Sequence, residues 1–195
     1  MAFLAVRAEA GHHGAGEYRC ESERRKAHAK VNRTEYRRAS VVDAAPIAEV
    51  HSQSHRETYV PLVGEENYHP PDGEARLAQW TGALSGPGIA FVALDGGRVV
   101  GFTHALADKI TTLYILAAYH RRGVGRHLLG LMLEALAERG FSIARFEVLE
   151  RNAKAVAFYE SQGARMVSRA KGEAPGYSDQ ELLDDLLFQI PTAKG

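Results

Sequence analysis

One cysteine, Cys20, occurs in 195 residues. That excludes a disulfide framework within the chain and points to a reducing compartment. No apolar run approaches the roughly 20 residues that a membrane-spanning helix needs, and the opening MAFLAVRAEAG has too short an apolar centre for a secretory signal. A cytoplasmic location with no membrane partner is therefore expected. Net charge is missing as well, since 24 Lys and Arg offset 24 Asp and Glu. Bulk electrostatics thus favour no polyanionic or acidic partner. No internal repeat is present. The remainder, 45% hydrophobic and 25% charged, has the balance of one ordinary globular domain with its own core.

Residues 1–33 read apart from the rest. GHHGAGEYRCESERRKAHAKVNR mixes Gly, His and charge without a sustained apolar period, as a mobile extension does. Arg24, Arg25, Lys26, Lys30 and Arg33 cluster there, but Glu21 and Glu23 dilute them. No aromatic residues interleave for base stacking, so no nucleic-acid partner is expected.

From Thr34 to Pro191 the chain is expected to form the folded domain, with 192–195 a tail. RRASVV reads as a strand, and Asp43 as the cap of a helix through Ile47 and Val50. HSQSHRETYVPLV continues that helix to a break near Pro61, and EARLAQWTGAL forms a second. Apolar runs on either side of Asp95-Gly96-Gly97 give a hairpin, and TTLYILA gives another strand. Leu128, Leu129, Met132, Leu133 and Leu136 mark one buried helical face. FSIARFEVLE is a strand, and NAKAVAFYESQG a helix that stops at Gly163. ARMVSRA and LLDDLLFQI close the pattern as strands around the loop KGEAPGYSDQ. A hairpin beside a right-handed strand–helix–strand crossover makes a mixed sheet, so the fold class is α/β in the broad sense, α+β in detail.

The stretch AAYHRRGVGRHLL is the least ordinary. The long helix begins there without a Ser, Thr, Asp or Asn cap, which leaves amides near Gly123 and Gly125 free for an anion, and phosphate is the candidate. A P-loop is excluded because Arg126 and His127, not Lys and Ser or Thr, follow Gly125. A dinucleotide fingerprint fits poorly, since Leu128 stands where the third glycine belongs. A third scheme is the coenzyme A pyrophosphate loop, Q/R-x-x-G-x-G/A, which His120 to Gly125 match except at the first residue.

With that loop and a second motif, the sequence resembles the GNAT superfamily of acetyl-CoA-dependent N-acetyltransferases. FEVLERNAKAVAFYESQG matches the family's L-E-V…N-x-x-A-x-x-F/L-Y-E-x-x-G at Glu147, Val148, Asn152, Ala155, Phe158, Tyr159, Glu160 and Gly163. The two motifs stand in the family's order and separation. His120 replaces the usual Gln or Arg, Ala117 the frequent Pro, and Ala164 the common Phe.

The resemblance implies a central mixed sheet, partly splayed and flanked by helices. It implies acetyl-CoA as donor and an amine as acceptor, small or protein-borne, with a homodimer allowed and no metal required. The amides of Arg122, Gly123, Val124, Gly125 and Arg126 would hold the pyrophosphate, and Arg121, Arg122 and Arg126 would offset its charge. Ile115, Leu116 and Ala117 would line the pantetheine arm, with Asn152, Ala155 and Phe158 close to it. Tyr159 would protonate the leaving thiolate; its competing reading is a core aromatic. Glu147 is the candidate base, as in the ribosomal-protein alanine acetyltransferases, with a structural ion pair to Arg145 as the competitor. Asn152 also reads as a helix cap by itself. His51, His55, Glu57 and Tyr59 fall in the segment that shapes the acceptor pocket. His51 and His55, one turn apart, read as a surface pair rather than metal ligands, and Trp80 and Tyr68 as packing residues. Two alternatives stand beside this reading: a non-catalytic coenzyme A binding module, and an acyltransferase using another acyl-CoA.

Overall fold

A computed structural model describes residues 34–171 and 184–192. The expected extension 1–33, most of the loop KGEAPGYSDQ and residues 193–195 lie outside the described residues. In chain order the elements are β1 (Glu35–Arg38), α1 (Ala44–Val63), α2 (Gly73–Ser85), β2 (Ile89–Asp95), β3 (Arg98–Leu106) and β4 (Lys109–Ile115). Then follow α3 (Val124–Glu138), β5 (Ile143–Leu149), α4 (Ala153–Ser161), β6 (Arg165–Lys171) and β7 (Asp184–Pro191). The strands form one sheet in the order β1-β2-β3-β4-β5-β7-β6. Every neighbouring pair is antiparallel except β4 and β5. This is the mixed sheet that the hairpin and the crossover predicted.

Three local expectations change. The first strand ends at Arg38, and Val41–Asp43 form a short 3-10 turn instead of extending it. Asp43 precedes α1 as expected, but its side chain does not cap that helix. Its carboxylate accepts both arms of Arg37, at 2.7 and 2.8 Å, and the Ser40 amide at 2.9 Å. A charge-assisted, two-pronged partner outcompetes a lone amide. Helix α1 also runs through Pro61 to Val63. Pro61 has no N–H for the Glu57 carbonyl, yet one more turn follows it, and Gly64, at φ +83°, ends the helix with its amide on the Val60 carbonyl.

The β2–β3 hairpin turns at Gly96 and Gly97, both at positive φ, as a two-residue connection that follows the strand twist requires. The β3–β4 turn at Ala107 and Asp108 has no glycine to announce it; Ala107 takes φ +51°.

Helices cover the central strands on both faces. Every residue of β3 from Val99 to Ala105 is buried. On β4, Tyr114 lies 4.8 Å from the His51 ring of α1, whereas the next residue, Ile115, meets Gly125 of α3. Successive side chains alternate across a strand, so α1 and α3 occupy opposite faces. One apolar core joins α1, α2 and the start of α3, through Val124 and Leu128, to β2 and β3; a second joins the later residues of α3 and α4 to β5 and β7.

Leu128 is fully buried in the first core, so Leu128→Ala is expected to cost about 2–5 kcal/mol. Denaturant unfolding measures this; a loss well below 1 kcal/mol would place Leu128 outside the core.

Candidate active site

The site begins where β4 gives way to α3. Leu116 donates its amide to the Val100 carbonyl of β3 at 3.0 Å. Alternation therefore turns the main-chain groups of Ile115 and Leu113 away from β3, toward β5. Ala117 starts a short 3-10 turn, and its amide is held by the Glu57 carboxylate of α1 at 3.0 Å. Arg121 and Gly123 then take positive φ, +60° and +84°. Gly123 is the N-cap of α3 and offers no side chain to cap it. His127 is the first residue of the turn whose amide finds a partner, the Gly123 carbonyl at 3.0 Å. Among the described residues the amides from Arg122 to Arg126 have none. That is a helix N-terminus with its donors free and the positive end of its dipole exposed. Gly123 and Arg126 border a surface hollow that continues along α3 past His127 and Gly130. Arg122 lies 5.1 Å over the Tyr119 ring.

Gly125 fits for a different reason. A methyl group there would sit 3.3 Å from Ile115 Cδ1 and 3.5 Å from the Phe158 ring. The start of α3, the end of β4 and the middle of α4 therefore converge at one point.

Next to that point the sheet is open. β4 and β5 pair only at Lys109 and Arg145, where the Arg145 amide reaches the Asp108 carbonyl at 2.9 Å. Beyond it the strands part, and the edge of β4 up to Ile115 faces the gap. On the α4 face of the gap Tyr159 is buried, its ring 4.2 Å from Phe146 and 5.0 Å from Phe158. Burial pushes its hydroxyl pKa well up, and the Tyr59 hydroxyl adds to the rise. Tyr59 belongs to α1, on the other face, so the two phenols sense each other across the gap. Tyr59 bonds to Tyr114 and stacks on His55 at 4.3 Å. Asn152 caps α4, its Oδ1 accepting the Ala155 amide at 3.1 Å.

This architecture recurs among known proteins. A sequence profile of the acetyltransferase (GNAT) family matches residues 49–164, more than half of the chain. The chain belongs to that family. It is 30% identical over 107 residues to the ribosomal protein bS18-alanine N-acetyltransferase of Escherichia coli (strain K12), covering 53% of this chain and 71% of that one. The uncharacterized N-acetyltransferase YuaI of Bacillus subtilis (strain 168) is 28% identical over 157 residues, covering 75% and 88%. Among solved structures, an acetyltransferase of Salmonella typhimurium with its cofactor acetyl-CoA aligns with a TM-score of 0.64 at 18% identity, over 83% of this chain and 95% of that one.

Within this GNAT domain Ile115 ends β4 and Leu116 and Ala117 follow it, residues 121–126 lead into α3, and Asn152 caps α4, which carries Ala155, Phe158 and Tyr159; of these, Ile115, Gly125 and Phe158 come within contact distance. Two side chains behave differently from expectation. His120, in place of the family's Gln or Arg, folds back so that Nε2 bonds the Ile115 carbonyl at 2.8 Å. Glu147 pairs with Lys109 at 2.8 Å rather than with Arg145, which holds Asp108 at 2.7 Å.

The histidines need a larger correction. His51 is no surface residue: it is buried, and its Nδ1 accepts the Trp80 indole N–H at 3.0 Å. His55 bonds the Tyr68 hydroxyl at 3.0 Å. Trp80 and Tyr68 are buried, as packing residues should be. These rings form an aromatic layer on the inner side of α1. Helical spacing placed His51 and His55 on one face but did not say which face. Among the described residues no group of three His, Cys, Asp or Glu side chains could hold a metal.

Burial, with the nearby Arg76 charge, pushes the pKa of His51 down to about 3 and of His55 down to about 4; His55 adds to the depression of His51. The unfolded chain binds protons at both sites once pH falls below about 6.5, while the folded chain stays neutral. Stability is therefore complete above that value and falls as pH drops toward 4, by up to about 1.4 kcal/mol per pH unit for each group. His51→Gln keeps an acceptor for Trp80 without titrating, so its stability should fall less steeply over this window. Urea unfolding from pH 7 to 4.5 tests this, and equal slopes would contradict it.

Proposed function

We propose that the protein moves an acetyl group from acetyl-CoA to a primary amine by direct attack on the thioester, in the gap between β4 and β5. The observation that carries this reading is the line of unpartnered amides from Arg122 to Arg126, which opens α3 beside the parted strands. The diphosphate binds those amides, and Arg121, Arg122 and Arg126 offset its charge. The pantetheine arm then lies along the open edge of β4 as an added strand would, pairing with the main chain of Ile115. For its carbonyl to serve, the His120 imidazole must yield or share that acceptor. Ala155 and Phe158 flank the arm, which brings the thioester beside Tyr159.

Attack by a neutral amine converts the thioester carbonyl to a tetrahedral oxyanion, whose collapse forms the amide and expels a thiolate. Tyr159 supplies the proton for that sulfur. Its reference value near 10 already exceeds the thiol's value near 8.5, and burial widens the difference. Tyr159 accordingly stays protonated and acts on the thiolate first as a hydrogen-bond donor; moving the proton to sulfur runs uphill, and burial steepens that step. Glu147, half-exposed and paired with Lys109, acts as base through water. No covalent intermediate with the protein is needed, in keeping with the single cysteine, which also favours a cytoplasmic setting. The alanine-directed relatives make a peptide beginning with alanine the first acceptor to try.

Tyr159→Phe is expected to lower kcat by roughly 10²–10⁴ while acetyl-CoA binding, measured by calorimetry, stays within about threefold. Unchanged kcat would remove the assigned role. Release of free thiol from acetyl-CoA across an amine panel tests the reaction itself; saturable binding without turnover would contradict it.

A further inference from the structure

Two carboxylates face the α1 side of the gap, and they are not equivalent. Strand register sets Glu147 opposite Leu187 and Leu149 opposite Asp185. Glu147 and Asp185 are therefore diagonal neighbours on one face of the sheet. It is the face turned away from Phe146, whose ring packs on Tyr159. Glu147 already has a cation, with Lys109 Nζ at 2.8 Å. Asp184, on the other side of the chain, has Arg169 at 2.9 Å. Asp185 lies half-buried, and among the described residues its carboxylate has no ion pair or hydrogen bond.

Its surroundings reinforce the contrast. Burial, then the charge of Glu147, push the Asp185 carboxyl pKa up, with Lys109 opposing. Tyr59 is near enough that Asp185 raises its phenol in turn, and Tyr59 does the same to Tyr159. Tyr159 is itself more than nine-tenths buried, and among the described residues no group bonds its hydroxyl. Among the described residues, an acid without a cation and a phenol without a partner thus stand on opposite faces of the sheet.

We propose that Asp185 is the residue that receives the acceptor's ammonium group and seats it on the α1 side of the gap, facing Tyr159. This rests on the reading of the gap as the site of acetyl transfer. An ammonium arriving at Glu147 meets Lys109 in direct contact, a like charge, whereas at Asp185 it meets a half-buried carboxylate that no cation touches among the described residues, Lys109 acting on it only at longer range. A charge-assisted hydrogen bond forms there, with Tyr59 near enough to feel the Asp185 charge. An uncharged hydroxyl can also donate to this carboxylate but lacks the charge–charge attraction that an ammonium adds, so the site favours amines.

The test uses the full chain, acetyl-CoA and three amines: an alanine-initiated hexapeptide, Nα-acetyl-lysine amide and spermidine. For each amine that is turned over, Asp185→Asn should raise the acceptor KM at least tenfold and leave the acetyl-CoA KM unchanged. Asp185→Glu should recover most of the loss, and Asp184→Asn should change neither constant. Should the Asn variant not fold, Asp185→Ser carries the same comparison. An unaltered acceptor KM, or a parallel rise in both constants, overturns the assignment to Asp185 and leaves the transfer reading standing. If the unsubstituted protein acetylates none of the three, the transfer reading falls and the role of Asp185 with it.

Discussion

One parallel pairing, between Lys109 and Arg145, joins the two halves of the sheet. Because β4 and β5 touch only there, the main-chain groups at the far end of β4 are left facing a gap instead of a neighbour. An open strand edge is ordinarily a liability; here helices flank it, and the His120 imidazole takes the Ile115 carbonyl at its far end, so an extended ligand pairing there must displace or share that contact. The rest of the site is arranged around that vacancy. Gly125 lets α3 approach to contact distance of Ile115 and Phe158. Tyr159 and Tyr59 reach the same opening from opposite faces.

The start of α3 follows from the same geometry. A chain leaving β4 must reverse within a few residues to begin a helix on the face opposite α1. It does so through positive φ at Arg121 and Gly123. The left-handed glycine leaves no side chain to satisfy the first amides, so the turn that solves the connection also presents donors to an anion. Glu57 steadies the approach by holding the Ala117 amide at 3.0 Å, tying this loop to α1 across 60 residues of sequence.

Much of this was legible before the structure. Element order, the Asp95–Arg98 turn, the apolar face of α3 and the Asn152 cap follow from local rules, because each depends on residues a few positions apart. The glycine loop and the FEVLERNAKAVAFYESQG segment pointed to the same ligand for the same reason. What stayed hidden depends on contacts between distant segments. Asp43 looked like a helix cap and is instead held by Arg37. His51 and His55 looked like surface residues, whereas Trp80 and Tyr68 draw them inward. Glu147 could be paired on paper only with its strand neighbour Arg145; Lys109, 38 residues earlier, takes it. Asp185 carried no motif at all. Its significance appears only when strand register places it beside Glu147 and electrostatics link it to Tyr59.

The account therefore depends on whether the main chain at Gly123 holds the diphosphate of coenzyme A. Calorimetric titration of acetyl-CoA into the full chain and into a folded Gly123→Pro variant addresses this most directly. Proline fixes φ near −65°, far from +84°, so the turn cannot keep its form. Saturable binding to the unsubstituted chain and an affinity at least tenfold weaker in the variant are predicted. Equal affinity in the two, or no binding heat with the unsubstituted chain, would contradict the account.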